Sequence, residues 1–319
     1  MRFPEYFTRS TGPVISFEVF PPKTDAGMDN LRRVLPELVE LRPTFMTVTY
    51  GALGSTRDRT LEIATIIQRD FAMTCACHLT CVGSSRADID RMLEDIRRAG
   101  IENIVALRGD PPKGETQFTP PPDGFAHAND LVAHIRHWEQ QNLTGQSVST
   151  PYASRLTPHS SFLTFGIAVA GYPEKHIEAP DTKTDLANLK RKVAAGADVI
   201  ITQLFYNNAD YFRFVDSARA IGITQPIVPG LLPIQSAKQI RRITSMCGSK
   251  IPPALEAELA VAEDDDPAAE EIGIRQCAAQ ATELLRRGVP GIHFYVLNKS
   301  SQMRRISEQL HSTIARLST

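Results

Sequence analysis

Apolar residues follow two alternating periods along this chain. Short runs rich in β-branched and aromatic residues read as strands: VISFEVF (14–20), FMTVTYG (45–51), TCACHLT (74–80), NIVALRG (103–109), LTFGIAVA (163–170), VIITQLF (199–205), IVPGLLP (227–233) and GIHFYVL (291–297). Between them lie amphipathic stretches such as SRADIDRMLEDIRRAG, where Ile89, Met92, Leu93 and Ile96 recur at helical spacing and Gly100 supplies a stop. Strand and helix alternating in this way predict parallel strands joined by right-handed crossovers. The α/β architecture with that tally is a single (β/α)8 TIM barrel occupying the whole chain, 1–319, with a Ser/Thr/Pro-rich surface insertion at about 143–161.

The first strand contains an acid. Alternation puts Ile15, Phe17 and Val19 on one face and Val14, Ser16 and Glu18 on the other. In a barrel, side chains near the C-terminal strand ends converge on one mouth, where catalytic groups sit. Those positions hold Glu18, Thr49 with Tyr50, His78, Arg108 with Asp110, Tyr172, Gln203, and Asn298 with Lys299. Any one of them alone could be a structural hydrogen bonder, but aiming this many polar groups at one pocket is a costly way to build a core. The Pro-rich segment PPKGETQFTPPPDGFAHAND follows the fourth strand on the same side and is expected to shape that pocket. After strand five, Leu186, Leu189 and Val193 form a core-facing helical stripe, with Asp185, Asn188 and Lys192 on its neighbour. That polar stripe reads equally as a solvated face or as a ligand surface offering a carboxylate to ribose hydroxyls and cations to a pyrophosphate.

Composition narrows the partners. With 35 basic and 36 acidic side chains the net charge is −1, which gives no electrostatic case for nucleic acid. No apolar run reaches membrane-spanning length and no signal-peptide pattern opens the chain, so a cytoplasmic location and no membrane partner are expected. The same observation sets aside an adhesion role for the RGD tripeptide at 108–110. Five cysteines, three of them crowded into TCACHLTC, lack the paired spacing of a zinc site and read as buried free thiols, so no metal is expected. The acidic run around Asp266 and Pro267 reads as a helix start.

In order, SFEVFPPK, TVTYGA, HLTC, IVALRGDPP, AGYPEKH, DLANLKRKVAAGAD, ITQLFY, PGLLPI and HFYVLN closely resemble the flavin-dependent 5,10-methylenetetrahydrofolate reductases, from about Val14 to Asn298. The resemblance implies a TIM barrel that binds FAD and passes hydride from NADH or NADPH to methylenetetrahydrofolate by a ping-pong route, within one-carbon metabolism that feeds methionine synthesis. It implies that Glu18 is the general acid and that Asp110 lies near both flavin and pterin. Position by position, Thr49, Tyr50, Ala52, His78, Arg108, Gly109, Ala128, Tyr172, His176, Ala179, Asp185, Asn188, Arg191 and Lys192 match FAD-contacting positions. Gln203 and Gln239 match residues that touch folate or nicotinamide, and Lys299 stands where an arginine often meets the folate's acidic tail. Ile243 replaces an aromatic residue that often shelters the nicotinamide. The adenosylmethionine-sensing domain of eukaryotic members is not expected here. The choice between NADH and NADPH stays open, as does the oligomeric state, a homo-oligomer included.

An acid role for Glu18 carries a requirement. A free glutamic acid with pKa about 4.3 is protonated only about once in 500 at pH 7, and raising it two units takes about 2.7 kcal/mol, which burial in the barrel mouth is expected to supply. A rival from another class is a folate-dependent methyltransferase or demethylase barrel without flavin. A Schiff-base aldolase would want a lysine within a strand, and none of the eight runs has one.

Overall fold

The computed structural model describes residues 1–50, 57–111, 115, 117–144 and 164–317. The chain runs α1 (Phe3–Arg9), β1 (Val14–Val19), α2 (Asp25–Glu40), β2 (Phe45–Val48), α3 (Arg57–Phe71), β3 (Cys75–Thr80), α4 (Arg86–Arg98), β4 (Asn103–Leu107) and α5 (Ala128–Thr144). It continues through β5 (Gly166–Gly171), α6 (Thr182–Ala194), β6 (Val199–Thr202), α7 (Asn208–Ala220), β7 (Ile227–Val228) and β8 (Gly230–Leu231). The last elements are α8 (Ala237–Cys247), α9 (Pro253–Val261), α10 (Asp266–Arg286), β9 (Gly291–Tyr295) and α11 (Ser300–Leu317). All strand pairings are parallel, in the order β7-β6-β5-β4-β3-β2-β1-β9-β8, with helices between the strands: a TIM barrel.

The expected seventh strand is two short ones. Pro229 lies between β7, which pairs with β6, and β8, which pairs with β9. Proline has no N–H to give a ladder, so the run changes partner there. The Pro229 carbonyl still accepts from His293 N at 3.0 Å, and Gly230 N donates to the Thr202 hydroxyl at 2.9 Å. These bonds, with Tyr295 OH donating to Thr202 O at 2.7 Å, close the barrel.

The two-residue period divides the apolar strand residues as expected. Phe17 and Val19 pack outward against the helices, in a cluster with Leu31, Leu35, Ile63 and Ile104. Val14, Phe45, Ala76, Val105, Ala168 and Val199 fill the barrel interior with Phe3. Helix α1 brings Phe3 beneath them: the ring is fully buried, edge-on to Phe45 at 5.0 Å, and its N–H donates to Asn103 Oδ1 at 2.7 Å. The interior is therefore packed at the bottom.

Local signals set the helices. Ser85 and Asp88 form a capping box on α4, whose Ile89, Leu93 and Ile96 are buried, and Gly100 follows at φ +75°. Asp265 caps α10 by accepting from Ala268 N, one residue ahead of the helix start read from Asp266–Pro267. Cys75, Cys77, Cys81 and Cys277 are buried free thiols and Cys247 is partly so. Of the insertion at 143–161, the first two residues end α5, and the rest lies outside the described residues.

Candidate active site

Register brings distant inward positions on β1, β2, β3 and β9 together. Glu18 lies across from Thr47 on one side and Tyr295 on the other, while Ser16 lies across from His293. Glu18 Oε2 accepts from the Thr47 hydroxyl at 3.0 Å and meets His78 Nε2 at 3.0 Å and His293 Nε2 at 3.1 Å. The other ring nitrogen of His293 is 2.8 Å from Ser16 Oγ. When that hydroxyl donates to Nδ1, the Nε2 hydrogen points at the carboxylate. Burial alone would push Glu18 up, but the charge of His78 and the hydrogen bonds from His293 and His78 together outweigh it and hold the carboxyl well below its ordinary range. This corrects the expectation that burial raises it.

Glu18 forms part of the wall of a cavity of about 880 Å³, toward the upper end of the roughly 300–1,000 Å³ usual for small-molecule sites. Thr49, His78, Gln203 and Tyr295 line the same cavity from the strand ends. Gln203 is fixed at both ends, its N donating to Gly171 O at 2.8 Å and its side-chain Oε1 accepting from Leu204 N at 2.9 Å.

Beyond β4 the chain turns through Gly109 at φ +88°, where a Cβ would meet Val82 Cγ1 at 2.9 Å. Only glycine fits that turn comfortably, and the turn places Arg108 and the exposed Asp110 on the cavity wall. The Pro-rich segment helps build the pocket through His127, Ala128 and Asn129 at its end, and Arg108 lies over the Phe118 ring at 5.0 Å. It also forms a two-pronged pair with Glu178, Nη1 to Oε2 at 2.5 Å and Nη2 to Oε1 at 2.7 Å.

The segment between β5 and α6 supplies the opposite wall. Tyr172 and His176 meet edge to face at 4.6 Å, and Asp185 Oδ2 on α6 accepts from His176 N at 3.1 Å. His176 Nδ1 accepts from Glu178 N at 3.1 Å, and burial lowers the imidazole's pKa. Lys192 donates to Ala170 O at 2.7 Å and faces the Tyr172 ring at 5.5 Å, while Asp185 acts on it through space. Burial pulls its ammonium down to about 8 despite that carboxylate. The polar stripe of α6 therefore faces the cavity, with Asn188 and Arg191 also on its wall.

Most expected site residues thus meet in one place: Ala128 and Ala179 line the cavity along with those above. Four described residues stand apart from its wall, among them Asn298, which accepts from Phe20 N at 3.1 Å and donates to Phe20 O at 2.9 Å. Tyr50 turns its hydroxyl to Met92 Sδ at 3.6 Å, Gln239 is exposed in the first turn of α8, and Lys299 is exposed after β9. Ala52 lies outside the described residues. Ile243 does line the cavity. His293, Ser16 and Thr47 were not singled out from sequence, nor was Glu178. The signal for His293 was its inward parity with Tyr295 on a short strand.

The donor set suits a dinucleotide. A half-buried lysine and an arginine fork offer cations to a diphosphate, while Asp185 and Asn188 offer groups to sugar hydroxyls.

The sequence model of the methylenetetrahydrofolate reductase family matches residues 5–311. The chain is 35% identical to the 5,10-methylenetetrahydrofolate reductase of Pectobacterium carotovorum, covering 90% of this chain and 86% of that one. It is 33% identical to the Salmonella typhimurium protein of the same name, covering 93% and 90%. Identity is higher, 43%, to methylenetetrahydrofolate reductase (NADH) 1 of Arabidopsis thaliana, over 89% of this chain but 46% of that one, so the chain spans about half the length of its plant relatives. Among solved structures, a Clostridium thermocellum protein described as binding two copies of 5-methyl-5,6,7,8-tetrahydrofolic acid superposes with a TM-score of 0.60 at 14% identity, covering 99% of this chain and all of that one. At that identity the match speaks to the fold alone.

Proposed function

Because the chain belongs to the methylenetetrahydrofolate reductase family, we propose that it reduces 5,10-methylenetetrahydrofolate to 5-methyltetrahydrofolate with NADH or NADPH as donor, using FAD bound in the barrel mouth and Glu18 as the proton source. The observation that carries this reading is the placement of Glu18: its carboxylate and the Lys192 and Arg108 cations line one cavity. FAD bound there would supply the two-electron redox chemistry between the nicotinamide and the folate. The printed names of the plant relatives make NADH the first donor to test.

The chain's own work is binding and proton supply. Lys192 and Arg108 would grip the diphosphate, Asp185 and Asn188 the sugar hydroxyls, and Tyr172 and His176 the wall beside them. Asp110 and Gln203, on the wall of the same cavity, would orient the pterin, and nicotinamide and folate would use that cavity in turn. The methylene carbon bridges two nitrogens, and breaking one carbon–nitrogen bond leaves an amine that needs a proton. The sum is one hydride to carbon and one proton to nitrogen, with the donor leaving oxidised.

Glu18 alone is a poor store for that proton, since its two imidazole partners favour the anion. The two imidazoles give the proton a route to the cavity instead. His293 Nε2 and His78 Nε2 each lie one hydrogen bond from Glu18 Oε2, and Glu18 and His78 both open onto the cavity. A proton passed from an imidazole Nε2 to Glu18 Oε2 is then handed on to the substrate, while Ser16 and Thr47 fix the geometry of the exchange.

The test is an absorbance spectrum of the purified protein. Yellow protein that bleaches with NADH under anaerobic conditions and regains its colour with methylenetetrahydrofolate supports the reading. Colourless protein that refuses FAD yet binds tetrahydrofolate would favour a flavin-free methyl-transferring barrel instead.

A further inference from the structure

Arg108 brings a guanidinium fork to the cavity wall, yet the paired face of that fork is already taken. Glu178 takes one N–H from each terminal nitrogen, and Nε donates to Gly109 O at 3.1 Å. Glu178 lies on the cavity wall as well, so this pair spans from the end of β4 to the β5–α6 segment at the site where a diphosphate would be gripped.

The carboxylate is presented by a braced segment. Lys175 adopts φ +91°, a left-handed conformation that costs a non-glycine residue, and its ammonium ties down the carbonyls of His176 and Ala179. Asp185 holds His176 N, and Glu174 accepts from Lys250 N at 3.1 Å on the far side. Glu178 N itself donates to His176 Nδ1. The backbone under Glu178 is thus fixed from several directions, and its aim at Arg108 is built in. The side chain is 42% exposed and that of Arg108 20%, which makes the pair one that water and an incoming anion can break.

We propose that Glu178 is an internal counter-anion of the dinucleotide site: its carboxylate competes with the diphosphate for the Arg108 fork and thereby sets how tightly FAD is held and how fast it leaves. This rests on the dinucleotide reading above. The carboxylate acts by occupying the fork and by repelling a diphosphate brought beside it, so its removal strengthens binding. A merely structural salt bridge would act the other way, because its loss would loosen the wall.

Two probes on the full-length protein separate the possibilities: FAD release on dilution, followed by recovery of flavin fluorescence, and calorimetric titration with inorganic pyrophosphate. Both are run on wild type, Glu178→Gln and Glu178→Ala, at low and high salt. We expect each variant to release FAD about tenfold more slowly and bind pyrophosphate about tenfold more tightly, with a steeper salt dependence because Arg108 then carries an uncompensated charge. If FAD binds the wild type but release from both variants is unchanged or faster, the counter-anion role is overturned and the flavin reading stands. If no form binds FAD but both variants bind pyrophosphate more tightly, the flavin reading fails and the counter-anion role survives for another phosphate ligand. No gain for either probe, or two variants that do not fold, overturns the proposal.

Discussion

Replacing one oxygen of Glu18 with nitrogen separates its two roles. Glu18→Gln keeps the shape and the contact with Thr47 but has no proton to pass from His78 or His293. In stopped-flow measurements we expect bound flavin and its reduction by NADH to be retained, with folate reduction slowed about 10²–10⁴-fold, the usual worth of a general acid. Equal loss of both half-reactions would remove Glu18 from the proton path. Lys192 gives a second expectation, in pH. In the ligand-free protein its pKa falls from 10.5 to about 8, so above pH 8 the folded chain has lost a proton that the unfolded chain still holds. Stability from this group therefore rises between pH 8 and 10.5, the charged lysine being a cost that deprotonation relieves. Diphosphate binding favours the charged form and must take that proton back. FAD affinity should accordingly fall above pH about 8 in wild type and lose that dependence in Lys192→Met, read by fluorescence titration across pH. A flat wild-type profile would place the diphosphate elsewhere.

Helix α6 and the segment before it act as one unit, joined where Asp185 accepts from His176 N. Asp185→Ala leaves that donor unpaired, costing about 1–3 kcal/mol locally, whereas Asp185→Asn keeps an acceptor while losing the charge. Hydrogen exchange should therefore quicken over residues 172–180 in the alanine variant and much less in the asparagine one, while both bind FAD more weakly. Equal exchange in the two would mean that charge, not the hydrogen bond, holds the segment. At this level the reach of the sequence is plain. Strand parity alone puts Glu18 and His78 inside, and their place near strand ends marks them as chemical. His293 has the same parity but lies in mid-strand, where an inward polar residue reads as core. Its partner Ser16 is 277 positions away, and only the β1–β9 register brings them together. The Glu178–Arg108 pair depends on the path of an irregular segment, which no periodicity encodes. Gln239 and Lys299 stand outside the cavity wall for a related reason: they follow strands through turns whose direction is set by packing. Pro229, by contrast, was a readable signal, since a proline in a buried parallel strand forces a break.

That break is where the barrel closes, and closure ties the active site to global stability. Phe3 plugs the bottom and the strands splay to a cavity at the top, so the sheet must complete its circle within the few residues of β7 and β8. Gly230 allows it: a Cβ there would lie 2.1 Å from Thr202 O and 2.7 Å from the Tyr295 hydroxyl. Neither neighbour can yield freely, because Thr202 O is the acceptor for Tyr295 OH and Thr202 Oγ1 for Gly230 N. Gly230→Ala should push β8 away from β6 and cost about 3 kcal/mol or more, as overpacked core positions do. At this chain length that corresponds to a fall in Tm of roughly 5 °C or more, read by thermal unfolding. Tyr295 and Leu232 also line the cavity, so the displacement should reach the ligand. FAD affinity should fall with stability in Gly230→Ala, whereas Phe3→Ala, at the other end of the barrel, should lower Tm by a comparable cavity cost and leave FAD affinity nearly unchanged. A Gly230→Ala protein with wild-type Tm would mean that the seam is not what holds the barrel shut. Weaker FAD binding in Phe3→Ala as well would mean that the mouth responds to any loss of packing and not to closure in particular.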